Sequence, residues 1–193
     1  MEQGQGDRVS VERHELIMQA VLRLLGSNGI AGVNMRAVAQ EAGVSLGLVN
    51  YHYTDKAGLI AAALHRIGEQ DLALLETRRG ATAEANLRAV IRRVAEPEFL
   101  TTEYLSLRLQ LWSLAQVNTE FARINADAQE DYRKGLAELI SAARPALPPR
   151  ECARRAADID VIQNGVWLTT LLGLDRASAR RNIERCEEIA LAD

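Results

Sequence analysis

The chain has 193 residues, enough for one sizeable core or for a small domain joined to a larger one. Hydrophobic residues make up 48% and charged residues 25%, with 13 Gly and 4 Pro, which excludes a disordered or collagen-like chain. The net charge of −3 gives no hint of nucleic acid, and residues 1–56 carry Arg8, Arg13, Arg23, Arg36 and Lys56 against Glu2, Asp7, Glu12, Glu15, Glu41 and Asp55, so a DNA-binding reading must rest on geometry.

No apolar run approaches the roughly 18–20 residues of a membrane span, so no membrane partner is expected. The start "MEQGQGDR" does not read as a signal peptide. Cys152 and Cys186 lie far apart without CxxC spacing, the pattern of a reduced protein, and the expected location is cytoplasmic.

In chain order, residues 1–9 read as a flexible tail. Ser10 is placed to cap a first helix whose inner stripe is Ile17, Ala20, Val21, Leu24 and Leu25, stopped by "SNG" at 27–29. Residues 35–42 form a short helix with Val38, Ala39 and Ala42 on one side, and a second short helix follows. Asp55 can cap a helix from Lys56 toward Arg79, with Ile60, Ala63, Leu64 and Ile67 inward. Residues 83–95 are helical and closed off by Pro97. In "YLSLRLQLWSL" the alternating leucines favour a strand by period, but Leu forms helices better than strands and a lone strand has no partner here, so helix is expected. Asn118 caps the next helix, whose stripe of Phe121, Ile124, Ala128, Tyr132, Leu136 and Leu139 runs to about Ala143. After "RPALPPR", Pro149 sits in a first turn, followed by a long apolar helix over 150–172 and a last one over 177–190. The fold class is all-α.

The stretch 35–53, "MRAVAQEAGVSLGLVNYHY", stops one helix and starts another within a few residues. Gly43 suits the left-handed backbone of a sharp turn, and small Ala39 lets two helices cross closely. Val44 and Val49 would fill the angle between them, and Ser45 can cap the second. This is the pattern of a helix-turn-helix, whose second helix enters the DNA major groove. With Val49 inward, Leu46, Gly47, Asn50 and Tyr51 face out. Gly47 allows close approach to DNA, Asn50 can pair with an adenine edge, Tyr51 and His52 can donate to phosphate, and Lys56 adds a charge at a helix start. The alternatives are an ordinary helical hairpin with Gly43 as a plain C-cap, and an all-α enzyme or adaptor whose hairpin binds protein.

Residues 11–60 resemble the N-terminal domain of the TetR family of bacterial transcription regulators, through "GSNGIAGVNMRAVA" and "EAGVSLGLVNYHYTDKAGLI". His52, Tyr53, Lys56 and Leu59 occupy the family's aromatic-rich helix end, its following Lys and its Leu. Asn50 stands where Tyr is more usual, and Leu46 where a polar residue is more usual. The resemblance implies a three-helix DNA-binding domain over 10–55 and a ligand-binding and dimerisation domain over 56–193. It implies Arg36 and Lys56 as phosphate or groove contacts, with Ser45, Leu46, Gly47, Leu48, Asn50, Tyr51 and His52 facing the groove. "LRLQLWSLAQVN" and "LPPRECARRAADIDVIQNGVWLTTLLGL" are similar to the choline-responsive, BetI-type repressors of that family, without carrying choline over.

Two further expectations concern the C-terminal helices. A homodimer joined by the last two helices is expected, with Ile159, Ile162, Gly165, Val166 and Thr169 on its face, the alternative being that these residues pack only within the chain. A small-molecule effector site is expected from Asp160, Asn164 and Trp167 on one helix face, opposed by Trp112, Gln116, Phe121 and Tyr132. The alternatives are that these polar groups satisfy one another, or that Trp167 is plain core. An aromatic cage with Asp160 would suit an organic cation. His14, His52 and His65 lack metal-ligand spacing, and no catalytic or cofactor fingerprint appears, so no metal, cofactor or enzymatic activity is expected.

Overall fold

The structure, a computed structural model, describes residues 3–173 and 176–192. Among these there are nine α-helices and no strand. They are α1 (Gln3–Gly32), α2 (Met35–Ala42), α3 (Leu46–His52), α4 (Lys56–Ala73), α5 (Ala83–Arg93), α6 (Thr102–Leu114), α7 (Thr119–Ala143), α8 (Pro149–Leu171) and α9 (Arg176–Leu191), with a 3-10 turn at Pro97–Leu100. Among the described residues no helix is long and apolar enough to cross a membrane, and no group of three or more His, Cys, Asp or Glu could hold a metal ion.

The chain forms two compact units, Met1–Arg66 with Ser106–Ile124, and Ile67–Leu105 with Asn125–Asp193. The division between these units falls inside continuous helices. In the first unit Ile17, Ala20, Val21 and Leu25 of α1 share a core with Val38, Val49, Leu59 and Ala63. Helix α1 begins at Gln3, so Ser10 lies within it and does not cap it, and residues 3–9, expected as a tail, are helical. Gly29 breaks the helix with φ +64° and ψ −170°, where "SNG" was placed as the stop. Arg66 of α4 pairs with Glu15 of α1.

Caps explain most of the remaining boundaries. Asp55 Oδ1 accepts from Gly58 N at 2.9 Å, and Asn118 Oδ1 from Glu120 N at 2.8 Å. Pro149 opens α8 at its first position. Helix α4 ends at Ala73, short of the expected Arg79, and a residue of α5 takes the carbonyls just beyond that end. Arg93 Nη1 donates to Leu74 O and, at 3.0 Å, to Glu76 O. Asn86 then holds Arg78 out of the helix, accepting from its N–H at 3.0 Å and donating to its carbonyl at 3.3 Å. Helix α6 is helical despite its alternating leucines: two positions advance about 200° around a helix, so successive leucines fall on opposite sides, with Leu105, Leu107 and Leu111 buried and Leu109 exposed.

Within the second unit α8 packs along α9 and against the 3-10 turn, and α9 packs on α5. Leu87, Val90 and Ile91 of α5, Leu136 and Ile140 of α7 and Ala156, Ile159 and Val166 of α8 are buried there.

Candidate nucleic-acid interface

Three local devices fix the angle between α2 and α3. Asn34 starts α2, its side chain accepting from Ala37 N at 2.9 Å. Gly43 ends it in the left-handed region (φ +66°, ψ 30°), so that Gly43 N and Val44 N close back on Gln40 O and Ala39 O at 3.2 and 3.0 Å. Ser45 Oγ accepts from Leu48 N at 3.2 Å, starting α3. Buried Val38, Ala39 and Val49 pack inside the angle. The start of α2 at Asn34 was absent from the sequence reading, although an Asn directly before an amphipathic stretch was a usable signal.

The outer side of α3 is open. Ser45, Leu46, Gly47 and Asn50 are exposed, Tyr51 is 82% exposed, and Arg36 is exposed on α2. Leu48, His52 and Lys56 are half-buried. Gly47 carries the clearest physical signal. A Cβ there would meet only Ser45 Oγ at 3.9 Å, an ordinary contact, and the backbone is helical. Among the described residues, neither a packing contact nor the backbone conformation requires a glycine there.

Aromatic packing holds the end of α3. Tyr53 is buried, its hydroxyl 3.3 Å from His14 Nε2, and burial raises its pKa. The His14 and His52 rings meet edge-on at 5.3 Å, and Tyr51 meets His52 edge-on at 5.2 Å. Tyr53 is thus a core anchor, while Tyr51 projects outward. Lys56 has an internal partner, Nζ donating to Ile30 O at 2.5 Å just beyond the Gly29 break. That bond ties the start of α4 to the end of α1 and leaves further N–H donors on the ammonium. Glu41, on the same unit, is neutralised by Arg23 at 2.8 Å.

The polar row on α8 is satisfied from within. Asp160 accepts from Arg133 Nε at 2.6 Å and from Asn164 Nδ2 at 2.9 Å, and burial, the larger influence, raises its pKa against those partners. Trp167 Nε1 donates to Val94 O at 2.8 Å. Tyr132 OH donates at 2.9 Å to Gln163, which itself donates to Ile91 O at 3.4 Å. Burial drives the Tyr132 pKa upward. Gln163 is the residue the sequence reading missed, a fully buried amide holding α5 and α7 to α8. Trp112 and Phe121 lie in the first unit, Trp112 beneath the Arg108 guanidinium at 5.4 Å and Phe121 buried, while Gln116 is exposed. The Asp160–Asn164–Trp167 face is therefore a structural network, and the carboxylate a cation would need is already held by Arg133.

The expected dimer face also needs correction. Ile159 and Val166 are 0% and 1% exposed, packed inside their own chain, and cannot face a partner. Thr169 returns its hydroxyl to Gly165 O at 2.6 Å, and Ile162 is half-buried. The open apolar stripe of α8 is instead Val161, Leu168 and Leu172, at 66%, 38% and 75% exposure. Gly165 lies on that stripe, with nothing within 4 Å of where its Cβ would be.

Comparison with known proteins adds the following. Residues 17–63 match the family described as bacterial regulatory proteins, tetR family, and residues 83–191 match the C-terminal domain of BetI-type transcriptional repressors. The HTH-type transcriptional regulator BetI of Paraburkholderia phymatum is 30% identical over 171 residues, covering 86% of this chain and 84% of that protein. A transcriptional regulator from Pseudomonas aeruginosa shares the fold at a TM-score of 0.78 and 25% identity, over 92% of this chain and 88% of its own. A Saccharomonospora viridis protein, crystallised in complex with choline, superimposes at a TM-score of 0.76 with 20% identity, over 95% of this chain and 97% of its own.

Proposed function

The chain belongs to the TetR family of bacterial regulatory proteins, with a BetI-type C-terminal domain, and from that membership we propose that it represses transcription as a homodimer on a palindromic operator, under control of a small molecule. It is a DNA-binding transcriptional regulator and not an enzyme. The observation that carries the DNA reading is the exposed outer side of α3, built on caps at Asn34, Gly43 and Ser45 and containing a glycine that no contact among the described residues requires.

In this reading α3 lies in the major groove. Asn50 contacts a base edge, Gly47 lets the backbone approach, and Leu46 and Leu48 supply apolar contact. Arg36, Ser45, Tyr51, His52 and Lys56 contact phosphates and set the register. Two copies joined along α8 present two such helices, about 34–36 Å apart. The exposed stripe of Val161, Leu168 and Leu172 around Gly165 supports that joining surface, since an apolar row on a helix is ordinarily covered.

The test is fluorescence anisotropy at stated salt, using the DNA flanking the protein's own gene and a scrambled duplex of equal length. A specific complex of two chains per duplex is the expected result. Equal affinity for both duplexes would reject the operator reading, and one chain per palindrome would reject the dimer.

A further inference from the structure

A second feature of the C-terminal unit lies away from the α8 network. The end of α5 with its 3-10 turn, the last turn of α8 and the first three turns of α9 enclose an open-sided cavity of about 690 Å³, within the size range of small-molecule sites. Leu100, Ala179 and Ile183 give it apolar walls.

Its polar groups have distinct states. Glu187 is buried, and both its oxygens are engaged: Arg92 Nε donates to Oε1, and Oε2 accepts from Arg88 Nη1 at 2.7 Å and Arg92 Nη2 at 3.0 Å. Burial opposes its charge, but the two arginines outweigh it and hold the carboxyl below its ordinary range. Glu184 accepts from Arg180 Nε at 3.1 Å through one oxygen. Among the described residues, the hydrogen bonds of Arg180 and Arg92 run through Nε of Arg180 and through Nε and Nη2 of Arg92, leaving the Nη groups of Arg180 and Nη1 of Arg92 without one there. Thr170 Oγ1 is buried with no hydrogen-bond partner, although its neighbour Thr169 donates back to the helix. A buried hydroxyl without a partner is unfavourable and seldom retained. What the lining leaves open is therefore mostly donors, against a single oxygen of Glu184.

We propose that this cavity binds a small organic anion, a carboxylate on an apolar body of several carbons. Its oxygens accept from Arg180, Arg92 and the Thr170 hydroxyl, and its body lies against Leu100, Ala179 and Ile183. Of the two carboxylates a quaternary cation could face, buried Glu187 is held by Arg88 and Arg92, and Glu184 is shared with Arg180. This assignment rests on the reading of the chain as a ligand-controlled regulator and supplies the chemistry of one controlling site.

Isothermal titration calorimetry of the full chain with hexanoate, hexyltrimethylammonium and inorganic phosphate tests it, beside the variants Arg180→Ala and Thr170→Val. Hexanoate should bind at one site per chain, at least tenfold more tightly than the other two probes. Arg180→Ala should weaken it at least tenfold. Thr170→Val, which removes only the unpaired hydroxyl, should keep or raise the melting temperature while weakening hexanoate. No heat with hexanoate, equal binding by both variants, tighter binding of the cation, or phosphate binding as strong as hexanoate would each overturn the proposal. The same samples on operator DNA separate the two readings. Hexanoate binding that leaves DNA affinity unchanged keeps the anion site and removes its control of DNA.

Discussion

Replacing Lys56 with Ala separates two roles that one side chain holds. Inside the chain, Nζ donates to Ile30 O at 2.5 Å and ties α4 to the end of α1. A hydrogen bond to a charged group contributes about 1.5–3 kcal/mol, and the half-buried setting of Lys56 places this bond at the lower end. Urea unfolding of Lys56→Ala should therefore lose about 1–1.5 kcal/mol. Toward DNA, one phosphate contact corresponds to about 0.9 in the slope of log affinity against log salt. Between 50 and 200 mM salt the wild type should then lose about 3.5-fold more affinity than the variant. The loss should be the same on operator and scrambled duplex, because a phosphate contact carries no sequence information. Anisotropy titrations at four salt concentrations give the slopes, with the folded fraction fixed from the urea data. Parallel slopes with lost stability would make Lys56 a purely internal tie. Unchanged affinity, slope and stability would refute the whole placement.

Asn50→Ala should change which bases are tolerated by about 1–3 kcal/mol at one position and leave the salt slope alone, as read by competition with single-base operator variants. Leu168→Glu should yield a folded monomer by sedimentation velocity, whereas Val166→Glu, at a fully buried position, should unfold the chain by circular dichroism. Glu151 is held down to about 2 by hydrogen bonds from Arg154 and then Arg155. Its folded value lies below the ordinary 4.5, so its stabilisation is present above pH 4.5 and lost as pH falls through about 2. The melting temperature of Glu151→Gln should accordingly fall below wild type at pH 7 and converge with it near pH 2.

Local signals made the helix-turn-helix legible before any coordinates. Gly43, Ser45, Asp55 and Asn118 act through bonds to residues a few positions away, Pro149 through its fixed φ, and each sits where its chemistry placed it. The end of α4 was illegible because Arg93 and Asn86, which hold the chain just beyond it, lie well downstream. The early start of α1 was hidden by the competing signal of Ser10, a good cap residue that the helix runs through. On α8, Asp160, Asn164 and Trp167 share a face as their spacing requires, but their partners Arg133 and Val94 lie on α7 and at the end of α5. Period alone also could not separate the inward from the outward apolar residues of a helix that is apolar on most sides. Ile159 and Val166 were therefore read as a partner surface, and Val161, Leu168 and Leu172 went unremarked.

The satisfied row on α8 constrains how that helix can move. Gln163 links it to Ile91 and Tyr132, Asp160 to Arg133, and Trp167 to Val94, so three successive turns are pinned to two neighbouring helix segments. An apolar contact tolerates sliding, since one methyl serves nearly as well as the next. These bonds do not, because a shift of one residue, about 1.5 Å along the axis, would strain all of them together and pull the buried Tyr132, Gln163 and Trp167 groups from their partners. Creep along α8 is thereby suppressed. The helix has a detent: it stays in register, or it jumps to another place where every one of those groups finds a new mate.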